Sequence, residues 1–317
     1  MGFFRKNEEF DFYSRTNLKA YNLDGKIRYQ LKMLDGLDSF TRRHSENVAN
    51  VTCRLCEYLN MDEGFTIYTT TCAYLHDLGK MFIPPSILQK PSKLTDEEFE
   101  VMKTHTTIGY KMCMEDPKLR PYSAGPLFHH EALNGKGYPN GLRGQQIPYE
   151  GQIIRVADEY DAITSKRQYK SHVGIIQTLE ILIDETKPPE NAVDDLSILR
   201  EEARMGKIDK RILKCLFRVV LDDTEYEIAT RSDYLDFIKS EIRRLKPAEP
   251  YYNRMMKATN EKKKEYYKQG VQMYMVAGEE PEQLMQEIQE FKVAYEKRRE
   301  HLKQLEKERV MIKRLTV

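Results

Sequence analysis

Apolar residues recur along this chain at the three-and-four spacing of an α-helix almost throughout, and runs of strict alternation are scarce. His44, Val48, Val51, Leu55 and Leu59 predict one helical stripe. Ile67, Thr71, Tyr74, Leu75 and Leu78 predict a second, with Gly79 placed to end it. Thr95 followed by Glu98 is a capping-box signature, after which Phe99, Met102, His105, Gly109 and Met112 share a face. Residues 134–148 are rich in glycine and proline and read as an ordered loop. Ile153 to Thr164 predicts a further helix, with Asp158 and Asp161 on one side of it. The predicted fold class is all-α.

Near residue 228 the pattern changes to long charged stretches broken at Pro247, Pro250 and Pro281. Leu284, Ile288, Phe291, Tyr295, Leu302, Leu305 and Ile312 then follow a heptad-like seam that Arg298 and Arg309 interrupt. The expected organisation is an N-terminal segment over 1–24, a main helical domain over 25–228 and a charged helical extension over 229–317. A helical hairpin packed on the main domain is the simplest form of that extension. A surface for a homodimer or a protein partner is the alternative.

Composition narrows the functional classes. The 317 residues carry 51 basic and 50 acidic side chains, for a formal net charge of +1. Such a balance gives no general field for duplex nucleic acid or an anionic membrane, so any charge that meets a phosphate must be local. The first ten residues lack the apolar core of a signal peptide, and no window approaches a membrane span. Cys53 and Cys56 form a CxxC with no second pair to complete a zinc quartet. A cytoplasmic protein with reduced cysteines is expected.

The candidate chemistry lies in the histidines. Five of the seven fall between residues 44 and 130. His44 or His105 alone would read as a core histidine. His76-Asp77 sets an imidazole and a carboxylate on consecutive residues, where both could reach one cation, and His129-His130-Glu131 repeats the pairing. Asp158 adds a carboxylate. Nitrogen and oxygen donors without thiolates suit manganese, iron or zinc better than a closed structural zinc site. So many donors exceed what one ion with an open position needs, and they fit two ions sharing a carboxylate.

Several segments carry a resemblance to a known family. They are His44-Ser45-Glu46, His76-Asp77-Leu78-Gly79-Lys80, His129-His130-Glu131 running on to Gly135-Lys136-Gly137-Tyr138-Pro139, Gly141-Leu142-Arg143-Gly144, and Val156-Ala157-Asp158 running on to Ser165. Over roughly residues 25–228, and in the same order, the chain resembles the HD-GYP family, a branch of the HD metallophosphohydrolases. The resemblance implies an HD-type helical bundle that hydrolyses the bacterial messenger cyclic di-GMP to linear pGpG through a hydroxide bridging two divalent ions. Iron or manganese is the expected metal, with zinc or magnesium as alternatives. It implies metal ligation by His44, His76, Asp77, His105, His129, His130 and Asp158, with Asp77 bridging. Lys80 would meet the scissile phosphate, Arg167 and Lys170 would bind substrate phosphate, and Tyr138 would lie against the substrate. Glu131 and Asp161 would support the ligands from behind.

Two departures from the family pattern bear on the outcome. Phe40 stands where some members carry a glutamate for a third metal, so two metals and pGpG rather than GMP are expected. Asn134 stands where most members carry Asp, keeping the acceptor oxygen and losing the charge. No ligand is missing. The alternatives are a phosphodiesterase for 3′,3′-cyclic GMP-AMP, and a non-catalytic sensor or scaffold signalling through the C-terminal helices.

Overall fold

The structure, a computed structural model, describes residues 39–164, 174–188 and 206–315. Among these residues helices account for the regular structure, and one isolated bridge pairs Asn134 with Arg143. None of the helices among the described residues is long and apolar enough to cross a membrane. The chain divides into two compact units that meet in sequence at Val219 and Val220.

The first unit begins with α1 (Ser39–Tyr58), α2 (Glu63–Leu75) and a 3-10 turn over Leu78–Phe82. There follow α3 (Pro85–Leu88), α4 (Asp96–Lys103), α5 (His105–Glu115), α6 (Ala124–Phe128), α7 (Tyr149–Thr164) and α8 (Ile175–Glu185). α1 packs on both α2 and α7, while α6 is in contact with α2, α5 and α7. Val48, Leu55, Leu75, Ile153, Ile154 and Val156 are fully buried among them. Each large apolar side chain taken out of water in this way contributes roughly 1.5–3 kcal/mol.

Local signals explain two of the helix starts in this unit. Asp62 caps α2 by accepting from the Phe65 amide at 2.9 Å. Thr95 and Glu98 form the expected capping box at the start of α4. The predicted continuous face from Phe99 to Met112 is broken at Thr104, which separates α4 from α5; Phe99 is exposed while His105 and Gly109 are buried. The stripe through Ile67 also needs correction. The second half of α2 is buried on all sides from Thr69 to Leu75, and Ile67 faces solvent.

Gly79 does not end α2, which stops at Leu75. It lies in the 3-10 turn pressed against α5, where a Cβ would stand 1.9 Å from the His105 carbonyl oxygen and 2.6 Å from the Gly109 nitrogen. Its absent side chain is what lets two backbones touch. All five cysteines are buried thiols.

α9 (Lys210–Leu245) carries the chain from the first unit into the second without a break at 219 or 228. The second unit adds α10 (Ala248–Lys257), α11 (Glu261–Gln272) and α12 (Pro281–Leu315). Its core joins Leu245, Ala248, Val271, Leu284 and Ile288, flanked by Tyr251, Tyr252 and Phe291. Along the predicted seam Leu284, Ile288, Leu305 and Ile312 are buried. α12 runs antiparallel to the part of α9 that lies in the second unit: Lys313 pairs with Glu225 at 2.8 Å, and Arg298 lies 5.0 Å over the Tyr234 ring. The arginine that interrupts the seam thus finds an aromatic face.

Candidate metal centre

Five segments meet in the interior of the first unit. α1 brings His44, the end of α2 brings His76 and Asp77, the first residue of α5 is His105, the end of α6 leads into His129 and His130, and α7 brings Asp158. His44, His76, Asp77, His105 and His129 are at most 3% exposed, and Asp158 is also buried. Three overlapping groups of donor atoms lie within 4.8 Å of one another: His44, His76 and Asp77; His105, His129 and His130; and His76, His129 and Asp158. All seven of the sequence-predicted ligands belong to one cluster.

Asp77 stands between the first two groups. Its Oδ2 lies 3.6 Å from His44 Nε2 and 3.3 Å from His76 Nε2. Its Oδ1 lies 3.6 Å from His105 Nε2 and 4.0 Å from His129 Nε2. Asp158 straddles the cluster in the same manner, with Oδ1 at 3.0 Å from His44 Nε2 and Oδ2 at 3.9 Å from His130 Nδ1. Lys80, one turn on, sets its ammonium 2.5 Å from Asp77 Oδ2.

The backbone fixes which nitrogen each ring presents. His76 Nδ1 lies 2.6 Å from the Ala73 carbonyl, His105 Nδ1 2.7 Å from that of Met102, and His129 Nδ1 2.9 Å from that of Gly125. A carbonyl only accepts, so each Nδ1 carries a proton and each Nε2 points inward. His105 Nε2 and His129 Nε2 then face each other at 3.2 Å. Burial pulls His105 down to about 4 despite Asp77, and burial together with His76 and His105 holds His129 well below its usual value. Both rings are neutral at pH 7, and two bare lone pairs confront one another with no proton to share. His76 Nε2 and Asp77 Oδ1 are likewise buried without a hydrogen bond. Buried acceptors without donors are costly, and a cation among them removes the cost. These His and Asp groups could therefore hold metal ions.

The remaining electrostatics agree. Burial opposes ionisation of Asp77, but His76, Lys80 and His44 outweigh it and hold the carboxyl well below the usual range. For Asp158 burial is outweighed first by His44 and then by His130 and His76. His130 is held low by burial and by His129. His44 differs. Burial alone would lower it, but hydrogen bonds to Asp158 and Asp161 and the charges of Asp158 and Asp77 raise it to about 9. A cation bound there would displace a proton.

Of the supporting residues, Asp161 accepts from His44 Nδ1 at 2.6 Å and from Asn47 at 3.0 Å. Glu131 turns both oxygens to the loop after it, accepting from the amides of Asn140 at 2.7 Å and Leu142 at 2.9 Å. It acts on the loop backbone rather than on an imidazole. Asn134 also works locally, its Oδ1 accepting from the Lys136 amide at 3.1 Å. Gly137 rests on the chain below, since a Cβ would stand 2.3 Å from the Ala132 nitrogen. The loop so held carries Tyr138, whose ring stacks on His130 at 4.6 Å. Arg167 and Lys170 lie outside the described residues, as does the side chain of Phe40.

Arg155 was not singled out by the sequence. Its guanidinium donates to the carbonyls of His130 at 3.0 Å and Glu131 at 3.1 Å and pairs with Glu159. Only the i, i+4 spacing of Arg155 and Glu159 was visible in advance, and that spacing reads as an ordinary surface pair.

Comparison with known proteins follows the same lines. The sequence model of the family described as HD domain matches residues 29–189. Over 136 residues the chain is 45% identical to a cyclic di-GMP phosphodiesterase of Thermotoga maritima, covering 42% of this chain and 37% of that protein. It is 41% identical over 136 residues to the cyclic di-GMP phosphodiesterase response regulator RpfG of Xanthomonas campestris, covering 42% and 36%. It is 31% identical over 151 residues to the 3′3′-cGAMP-specific phosphodiesterase 3 of Vibrio cholerae, covering 48% and 33%. The match spans about a third of the length of each of these curated relatives.

Proposed function

The chain belongs to the HD-domain family, and on that premise we propose that it is a metal-dependent phosphodiesterase converting cyclic di-GMP to linear pGpG. One observation carries the reading: the neutral, carbonyl-tethered rings of His105 and His129 aim bare Nε2 atoms at each other across 3.2 Å, beside a buried aspartate. In this reading His44, His76, Asp77, His105, His129, His130 and Asp158 would hold two divalent ions, iron or manganese. Such ions, when bound, draw in phosphoryl oxygens and make water a competent nucleophile at neutral pH.

The chain's own groups supply the rest. Lys80 keeps one contact with Asp77 and has further N–H donors for a phosphate oxygen, where charge grows as the ester bond breaks. Tyr138 offers its ring beside His130, and burial pushes its phenol up, so it stays a neutral donor. Asp161 fixes the His44 ring from behind through Nδ1. Arg167 and Lys170 are further phosphate contacts on this reading. It implies a cytoplasmic enzyme, with which cysteines kept as thiols agree.

The test is direct. Protein loaded anaerobically with iron or manganese should release pGpG from cyclic di-GMP, and His76→Ala or Asp77→Ala should abolish turnover. Full turnover in both variants would sink the assignment. The Vibrio relative gives weight to a second substrate, 3′,3′-cyclic GMP-AMP, and equal or faster hydrolysis of it side by side would replace the first reading with the second.

A further inference from the structure

A file of aromatic rings leads from the buried cluster to the surface. His129 packs on His130 with centroids 4.1 Å apart, His130 stacks on Tyr138 at 4.6 Å, and Tyr138 meets Phe99 at 6.1 Å and 84°. Exposure rises along the file, from none at His129 to 45% at Phe99. α4, which carries Phe99, buries none of its residues, so this ring is not part of the core. Yet it is not loose. The capping box fixes the start of its helix, and the near-perpendicular contact fixes the ring against Tyr138.

A single exposed apolar residue needs no explanation. Phe99 differs because a cation accompanies it. Lys103, one turn further on, holds its ammonium 5.5 Å from the centre of the Phe99 ring and 5.8 Å from that of Tyr138. Glu100 pairs with the same ammonium at 2.7 Å. A flat apolar face and a positioned positive charge, one ring removed from the cluster, match the two repeating parts of a dinucleotide: a base and a phosphate.

We propose that Phe99 is a base-stacking residue and that one purine of the cyclic dinucleotide lies on its exposed face, with Lys103 meeting the phosphate that is not cleaved. The inference rests on the phosphodiesterase reading above. A phenyl ring has no hydrogen-bonding group, so this contact grips a purine without reading its identity. It contributes equally in the bound and the reacting state, and its loss therefore raises KM and leaves kcat alone.

The experiment uses the full metal-loaded chain with cyclic di-GMP and with 3′,3′-cyclic GMP-AMP. Phe99→Ala should raise KM for whichever substrate is hydrolysed by roughly 5- to 150-fold, the range expected from losing one stacked base. Phe99→Tyr should restore it. Phe99→Leu keeps apolar bulk without an aromatic face and should behave like the alanine variant, which separates stacking from support of Tyr138. Lys103→Gln should also raise KM. Unchanged KM in Phe99→Ala beside a normally active wild type overturns this proposal alone. A fall in kcat at constant KM also overturns it, by showing that Phe99 acts only through Tyr138. A wild type that hydrolyses neither substrate overturns the functional reading and this inference together.

Discussion

Glu131 allows a quantitative prediction. Its carboxylate is 1% exposed and accepts two backbone amides, from Asn140 and Leu142, at 2.7 and 2.9 Å. Hydrogen bonds to a charged acceptor are worth roughly 1.5–3 kcal/mol each. In Glu131→Gln one oxygen remains to accept, while the new amide group turns N–H donors toward the second backbone donor. One bond is lost and a donor is left facing a donor, at a cost of roughly 2–3 kcal/mol. At about 1.4 kcal/mol per decade this opens the loop roughly 30- to 150-fold more often. Hydrogen exchange followed by mass spectrometry should show that acceleration in peptides covering residues 138–143, with peptides from α1 unchanged. Glu131→Ala loses both bonds and should go further. Wild-type exchange rates across the loop in the glutamine variant would refute the claim that this carboxylate holds Tyr138 in place through the backbone.

Other predictions follow from the same geometry. In metal-free protein the His44 pKa, raised to about 9 from 6.5, means that its protonated ring stabilises the fold fully below pH 6.5 and loses that effect as pH rises through 9. Metal affinity should therefore tighten by up to about tenfold per pH unit across that window, with proton release visible by calorimetry in buffers of different ionisation enthalpy; a flat profile would contradict it. Gly79→Ala sets a methyl carbon against the α5 backbone, 1.9 Å from the His105 oxygen, and should cost roughly 3 kcal/mol or more and weaken metal binding, measured by denaturation and metal titration. Arg155→Met removes the side-chain donor to the Glu131 carbonyl and one of the two donors to the His130 carbonyl, at an expected loss of roughly 1–3 kcal/mol in chemical denaturation.

The helical character and the paired donors could be read from the residues, for a shared reason. Amphipathic spacing and the His76-Asp77 and His129-His130 doublets are local patterns, whereas His44 and His105 stand alone in the sequence and entered only through the family resemblance. What could not be read was direction. Glu131 sits beside two imidazoles in sequence, yet its oxygens serve amides nine and eleven residues on. Gly79 resembled a helix stop because a glycine after an apolar run usually is one; its closeness to α5 depends on how two remote segments pack. Thr104 gives no breaking signal, so the division between α4 and α5 was invisible. Arg155 matched a solvent-facing pair, and only tertiary folding turns its guanidinium onto the carbonyls that follow α6.

The tethering of His76, His105 and His129 to carbonyls three or four residues back has a consequence for ion choice. Each ring is pinned at one nitrogen to its own local backbone, so it cannot swivel to suit a larger or smaller guest. The span between opposing rings is consequently dictated by helix placement, as the jaws of a calliper are set by its frame. Retuning this centre for another element would call for sliding α5 relative to α6, and exchanging donor side chains alone would leave the aperture as it is.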